Sequence, residues 1–479
     1  MPTMNALSEI AVDDAIRALA FIGDLSMGRP IDHSLRTAWL AERVAEAAGG
    51  DADDRRRAHD VALLRWSGCT ANAAGFDRLL GDDVGERSRM LAHTLRPLRD
   101  EERRRIPALA EIHCEVSGDI AAQLGLDDGV EQGLRHIFET WDGQGEPRGH
   151  GGSEVPSVVY HVNLAGDLEI LARERGLEAA CDRIAALGGL KYPAALAGIL
   201  TRHAPEWLAQ LEVGDPVPRG DSDRRVPLAL IADVGELKLP WLAGFSRRVA
   251  DCAHGCAVQL GMDPGQAAML HRAGLIHAFG RAALPNHVWD KPGRLDLAER
   301  ERARLMPYWT YRAANAMATL KAEVELASYA WEKLDGSGAF RSLSGSALLP
   351  AQRVLAATVA LVALRSPRPW RLAHDGAGAA RLLREEAAAG RFDADVVEAA
   401  IAAIDGAQAP APSRSTVTLS ERETDVLRRI SLGESNKEVA RVLDISPSTV
   451  RTHVESAFRK LQCSTRAAAT LKAFTLGLL

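Results

Sequence analysis

Apolar positions recur at helical spacing through most of the chain. Residues 35–48 (LRTAWLAERVAEAA) and 245–260 (FSRRVADCAHGCAVQL) place Leu, Val, Ala or Phe three and four apart, which predicts amphipathic helices with one buried face. Two stretches interrupt the pattern. Residues 213–225 (VGDPVPRGDSDRR) and 405–418 (DGAQAPAPSRSTVT) are rich in Pro, Gly, Ser or charge and carry no apolar period, so they predict a break and a linker.

The segments before and after the first break repeat one another in order. Each has a helix with a Ser-Arg-type core, then an apolar helix (VALLRWSGC, 61–69; AGLIHAFGR, 273–281), then a Glu-x-x-Asp-Gly-x-Gly loop (139–145 and 332–338). A Pro-led apolar helix follows (155–167 and 349–361), and GLEAACDRIAALGGLKYPAAL (176–196) matches GAGAARLLREEAAAGRFDADV (376–396). Shared order over about 180 residues reads as a duplication.

Composition agrees with a helical, multidomain chain. Its 479 residues exceed what one core holds, and Ala, Leu and Arg abound while Tyr numbers five. The six cysteines show no C-x-x-C spacing; Cys252 and Cys256 share a helix face as two small buried residues. The acidic start, with Glu9, Asp13 and Asp14, does not resemble a signal peptide. The longest apolar run, 354–364, is too short to span a bilayer, so a cytoplasmic protein with no membrane partner is expected.

Charge is uneven. Residues 413–479 carry eleven Lys and Arg against seven Asp and Glu, a basic end on a chain whose net charge is −6. There, Ser420 with Glu423 and Ser435 with Glu438 form capping boxes, and Ser446 is an N-cap with Pro447 behind it. Gly433 ends the first helix, and Asp444-Ile445 forms the turn before the third. Two short helices joined by a tight turn are a helix-turn-helix, whose second member enters the major groove. Phe458, Val454 and Leu461 form its inward face, and Thr449, Val450, Arg451 and His453 lie near its N-terminal end.

The motifs Leu419-Ser420-Glu421-Arg422-Glu423, SNKEVA (435–440) and SPSTVRTH (446–453), with Lys460, Leu461 and Arg466, closely resemble the LuxR/NarL-type DNA-binding domain. The resemblance implies that Lys437, Thr449, Val450, Arg451, His453 and Lys460 contact double-stranded DNA, with Val450 and Arg451 reading bases. It also implies binding as a homodimer. No receiver-like alternation of strands and helices precedes the module.

Both halves of the body resemble the HD-GYP family of helical, metal-dependent phosphohydrolases that cleave cyclic dinucleotides. The resemblance rests on WDGQGEPRG (141–149), KPGRL (291–295) and LDGSGAFRSLSG (334–345). It implies an all-α chain: two tandem HD-GYP-like domains (10–212 and 222–406), a linker (407–416) and a four-helix LuxR-type domain (417–479). The family's metal ligands are replaced, however. Its His-Asp pair is Arg65-Trp66 in one half and His277-Ala278 in the other; its Lys is Arg281 in the second half; its first His is His33 in one and Phe245 in the other. Its His-His-Glu is Ile137-Phe138-Glu139 and Ala330-Trp331-Glu332, and Asp167 keeps a carboxylate.

The expectation is therefore a transcription regulator with no catalytic residues, metal or cofactor. Its body would sense a small-molecule effector or mediate dimerisation, with His33, His136, Glu139, Asp167 and His277 lining a pocket. The alternative is a metal-dependent cyclic-dinucleotide phosphodiesterase coupled to DNA binding.

Overall fold

The structure, a computed structural model, describes residues 8–214, 224–313, 316–406 and 417–479. The expected linker 407–416 lies outside the described residues, as does most of the break at 213–225. Helices dominate. The only strands among the described residues are β1 (Glu9–Ala11) and β2 (Arg225–Pro227), paired antiparallel with Ile10 opposite Val226. No helix among them is long and apolar enough to cross a membrane.

The chain forms two compact units, Ile16–Asp223 and Met1–Ala15 with Arg224–Leu479. The residues around β1 thus belong with the second half, not with a first domain beginning at residue 10. The cause is the β1–β2 pairing, which joins segments too distant in sequence for any local pattern to reveal.

The first unit is built from α1 (Val12–Ser26, its start in the other unit), α2 (His33–Ala47), α3 (Ala52–Leu64), α4 (Ile106–Gln123), α5 (Asp128–Arg135), α6 (Ser157–Arg175), α7 (Leu177–Leu187) and α8 (Ala194–Val213). Helix α2 buries His33, Ser34, Thr37, Leu40, Ala41 and Val44, one stripe at helical spacing, against α3 and α6. Asp51 starts α3 by accepting from Asp53 N and Asp54 N at 2.8 and 2.9 Å. Helix α6 is buried on nearly all sides from Val158 to Leu171.

The second half repeats the plan with α9 (Leu228–Glu236), α10 (Phe245–Gln259), α11 (Pro264–Ile276), α12 (Lys321–Ala327), α13 (Pro350–Leu364), α14 (Gly376–Ala388) and α15 (Ala394–Gly406). Helix α10 packs on α11, α13 and α15, and buries both Cys252 and Cys256. The duplication extends to single bonds: Trp141 N donates to Lys191 O at 3.1 Å, and Leu334 N to Arg391 O at 3.0 Å. The same unit carries α16 (Glu421–Ser431), α17 (Asn436–Leu443), α18 (Pro447–Leu461) and α19 (Arg466–Thr475), the four helices of the basic module.

Candidate functional site

Because α6 is buried on almost every face, its Asp167 and Glu169 point into the interior and require partners there. Glu169 meets His33 Nδ1 and Arg173 Nε, with Arg36 Nε at 3.4 Å. Asp167 accepts from Lys191 Nζ at 2.7 and 2.9 Å and from the Tyr192 hydroxyl at 3.0 Å. Arg65, only 2% exposed, enters from the end of α3, and its Nη2 meets His33 Nε2 and, at 3.2 Å, Thr37 Oγ1. Gly166 makes room for it: a Cβ there would lie 1.7 Å from Arg65 Nη1.

These partners fix the protonation. With Nδ1 facing a carboxylate and Nε2 facing a guanidinium, His33 is neutral and carries its proton on Nδ1; burial lowers its pKa to about 4. Burial also draws Arg65 down to about 10, opposed by Asp24, Glu169 and Asp167, so it stays cationic at neutral pH. Asp24, pushed up to about 7 by burial, holds the start of α2 by accepting from Ser34 N at 3.0 Å and Ser34 Oγ at 2.6 Å.

The Asp-Gly-x-Gly loops are fastened by buried glutamates. Glu139 accepts from Arg148 N and His150 N, both at 3.0 Å; Glu332 accepts from Arg341 N at 2.8 Å and Leu343 N at 3.2 Å. Asp142 and Asp335 each hold a backbone N–H two residues on. The second glycine is required by close approach: a Cβ on Gly145 or Gly338 would stand 2.5 Å from backbone atoms of Thr140 or Glu332. His136 bonds its own turn, at Gln132 O (2.9 Å), and stacks on His150. Among the described residues, then, no hydrogen bond joins His33, His136, Glu139 and Asp167 into one pocket. His33 instead belongs with Arg65 and Glu169. Asp24, Arg36, Glu169 and Arg173 were not singled out from sequence, although a charge within LAGDLEIL marks a partnered site.

In the second half Phe245 stands where His33 does, its ring 5.7 Å from that of His277. His277 is fully buried, with Nδ1 2.7 Å from Gly274 O, and burial lowers its pKa to about 3. Arg281 is 6% exposed and lies 5.0, 5.9 and 5.3 Å from the ring centres of Phe245, Trp289 and Trp331. Glu236 repeats the role of Asp24, accepting from Phe245 N at 3.1 Å and Ser246 N at 2.5 Å.

Burial, assisted by Asp233, raises Glu236 to about 7 from an ordinary 4.5. A carboxyl raised in the folded state contributes stability that is full below pH 4.5 and lost as pH rises through about 7. Glu236→Gln abolishes that loss. Its melting temperature should gain on that of the parent chain between pH 4.5 and 7, and parallel melting profiles would refute the assignment.

The residues present do not fit the metals that the HD-GYP resemblance implies. Among the described residues no three His, Cys, Asp or Glu side chains gather as a metal-holding group. Arg65 and Arg173 occupy the ligand atoms of His33 and Glu169 instead.

The C-terminal module shows its caps as expected. Ser420 and Ser435 pair reciprocally with Glu423 and Glu438, Ser446 Oγ accepts from Thr449 N at 3.0 Å, and Asp444 turns in the left-handed region. Lys437, Thr449 and Arg451 are exposed and His453 is half-buried. Arg451 Nε donates to Glu455 at 2.7 Å, one turn along. Lys460 is engaged inside the domain: its Nζ donates to Glu423 at 2.6 Å, tying α18 to α16.

Val450 requires correction as a base reader. It is 0% exposed and packs with Val426, Leu427, Ile430 and Val454 in the core of the module. On a helix its side chain points four residues' worth around with Val454, away from Arg451. Val450→Ala should cost about 1.5 kcal/mol of stability from two lost buried methyl groups. Hydrogen exchange across α18 reads this; altered base preference with unchanged protection would restore a direct role.

Two family models match parts of this chain. The family model "HD domain" matches residues 229–396, and "Bacterial regulatory proteins, luxR family" matches residues 417–473. The chain therefore carries an HD domain followed by a LuxR-family DNA-binding domain. It is 24% identical over 392 residues to 3'3'-cGAMP-specific phosphodiesterase 3 of Vibrio cholerae, covering 73% of this chain and 85% of the relative. A crystal structure of a cyclic GMP-AMP specific phosphodiesterase from V. cholerae has the same fold, with TM-score 0.60 and 21% identity over 84% of this chain and 99% of that one. The nitrate/nitrite response regulator NarP of Escherichia coli is 49% identical over 53 residues, 11% of this chain and 25% of the regulator.

The kinship to phosphodiesterases corrects one expectation. The body was expected not to be an enzyme, because the motif ligands are replaced. The relative matched over 73% of the chain is a 3'3'-cGAMP-specific phosphodiesterase, so the expectation that the body is not an enzyme does not stand.

Proposed function

We propose that this protein is a sequence-specific transcription regulator whose HD body takes up a cyclic dinucleotide and adjusts DNA binding in response. The observation that carries the reading is the union, in one chain, of a LuxR-family domain with a body related to a 3'3'-cGAMP phosphodiesterase. Lys437, Thr449 and Arg451, with half-buried His453 beside them, would offer the polar surface for the major groove, and binding as a homodimer would match a two-fold operator.

A second reading, favoured by the phosphodiesterase kinship, is that the body also hydrolyses the nucleotide, so that its signal is self-limiting. One experiment addresses both. Footprinting on genomic fragments, with and without 3'3'-cGAMP, is followed by chromatography of the nucleotide recovered from the same reactions. Protection of discrete sites that shifts with nucleotide supports regulation, and recovered linear product supports hydrolysis. Uniform, sequence-independent protection would refute the first reading, and intact nucleotide after long incubation the second.

A further inference from the structure

Between α6 and α7 the first half has only Gly176, whereas residues 365–375 join α13 to α14 in the second. This inserted loop, RSPRPWRLAHD, carries three arginines against one aspartate, on a chain whose net charge is −6. Arg365 pairs with Asp405, outside the loop. Arg371 is used within it: the guanidinium donates to Ala363 O at 2.6 Å, Leu372 O at 3.0 Å, and Leu364 O and Ser366 O at 3.2 Å, closing the C-terminal end of α13. Arg368 N donates to Arg371 O at 2.9 Å and Arg371 N to Arg368 O at 3.1 Å, so Pro369 and Trp370 stand at the tip of a fastened turn.

Arg368 is differently placed. It is half-buried, 4.8 Å from the ring centre of Trp241 and 5.2 Å from that of Phe245. Among the described residues its guanidinium makes one hydrogen bond, to Pro367 O at 3.1 Å. Burial and three further guanidiniums, Arg281, Arg371 and Arg248, draw its pKa down to about 9, and no carboxylate opposes them. Glu236 acts on Arg248 and Arg281 but not on Arg368, and Asp290 accepts from Trp241 Nε1 at 2.7 Å. A cation set among like charges, with one neutral acceptor, favours an anion. Beside it Trp370, 46% exposed, meets Trp241 edge-on at 6.3 Å, and Leu372 is 87% exposed.

The loop lies beside the DNA-binding domain. Pro240, next to Trp241, meets the turn between α16 and α17: a Cβ on Gly433 would stand 3.1 Å from Pro240 Cβ. One on Gly244 would stand 3.1 Å from both Arg248 Nη1 and the Phe474 ring of α19, and Arg248 Nη2 reaches Ser366 of the loop at 3.5 Å. Lys437 follows Gly433 in the first turn of α17, where free N–H groups suit a phosphate. From Lys437 through Gly433, Pro240 and Trp241 to Trp370 the path is at most about 35 Å, roughly one helical turn of duplex. A duplex backbone held at the N-terminal end of α17 thus has phosphates within reach of the loop.

We propose that loop 365–375 is a second DNA contact: Arg368 takes a backbone phosphate of the duplex flanking the site read by α18, with Trp370 and Leu372 against the adjacent sugars. Phosphate contacts carry no base identity, so the loop adds affinity and fixes the register of the body on DNA rather than choosing sequence. An extended polyanion fits better than a small ligand, because Trp370 and Leu372 lie open to solvent. The inference rests on DNA binding by the helix-turn-helix module, not on any nucleotide in the body.

The test uses the full chain and duplexes of two lengths around the footprinted site, the shorter ending at its base-specific positions and the longer extended by about one helical turn on each side. The parent chain should bind the longer duplex about tenfold more tightly, with a salt dependence steeper by about one counterion. Arg368→Gln should remove most of that gain and the extra salt dependence, and bind the shorter duplex as the parent does. Leu372→Glu, which puts an acid on the loop at a side chain 87% exposed and so leaves packing intact, should weaken the longer duplex selectively as well. Equal affinity of the parent chain for both lengths, or equal losses by the variants on both, would overturn the contact. So would 3'3'-cGAMP binding that Arg368→Gln abolishes while the gain with length persists, which would assign the loop to a nucleotide. Length-dependent binding of arbitrary sequences, lost in Arg368→Gln, would uphold the contact and refute sequence-specific regulation; a base-specific footprint indifferent to flanking length would do the reverse.

Discussion

Arg65→Met will destabilise the first unit by about 3–5 kcal/mol, although methionine fills much of the same volume. The guanidinium is the buried cation nearest His33, and Asp24, Glu169 and Asp167 all act on it. Removing it leaves those carboxylates in the interior with less compensation. Arg173 and Lys191 still hold Glu169 and Asp167, but each is about one-third exposed and reaches its partner from the rim. The loss therefore falls on Asp24 and His33. Hydrogen exchange along α2 and α6 is the readout: protection should drop in both helices together, while α10 and α13 in the other unit keep theirs. Arg65→Lys, which restores charge without the two-sided fork, should recover part of it. Unchanged protection in α2 would mean that Arg65 merely fills space.

Much of this architecture was legible in the chain, and the exceptions have physical causes. Caps and turns are local, so Ser420, Ser435, Ser446 and Gly433 could be placed from spacing alone. The duplication was legible because a repeat carries its own register, down to Lys191 and Arg391 at matching bonds. Arg65 and Arg281 were recognised only as departures from a ligand motif. Their interior partners arise from packing: Gly166 lets a guanidinium lie against α6, and three rings on separate segments converge on Arg281. Glu139 looked like a pocket ligand because a motif does not say which way a carboxylate faces; it faces its own loop. The misreading of Val450 was avoidable. Thr449, Val450 and Arg451 are adjacent in a motif, but a helix turns each by about 100° from the last, and Val450 shares the inward stripe with Val454. The strand pairing of β1 with β2 had no local signal at all.

At the DNA-binding end, Arg451→Ala and Lys437→Ala will fail in different ways, and the difference is the informative result. Arg451 is exposed on α18 and, among the described residues, is held in the free protein by Glu455, a surface pair worth about a fraction of a kcal/mol. It is therefore free at little cost to present its fork to a guanine edge. Losing such a bidentate contact costs about 1–3 kcal/mol at the cognate base, roughly 10- to 100-fold in affinity, and almost nothing at a site already mismatched there. Lys437 sits in the first turn of α17, where its charge and the free N–H groups suit a phosphate. Its removal should weaken every sequence alike and reduce the salt dependence of binding by about one counterion. Competition shifts on single-base operator variants, at several salt concentrations, separate the two. A uniform loss from Arg451→Ala, with its base preferences intact, would move sequence reading away from that residue.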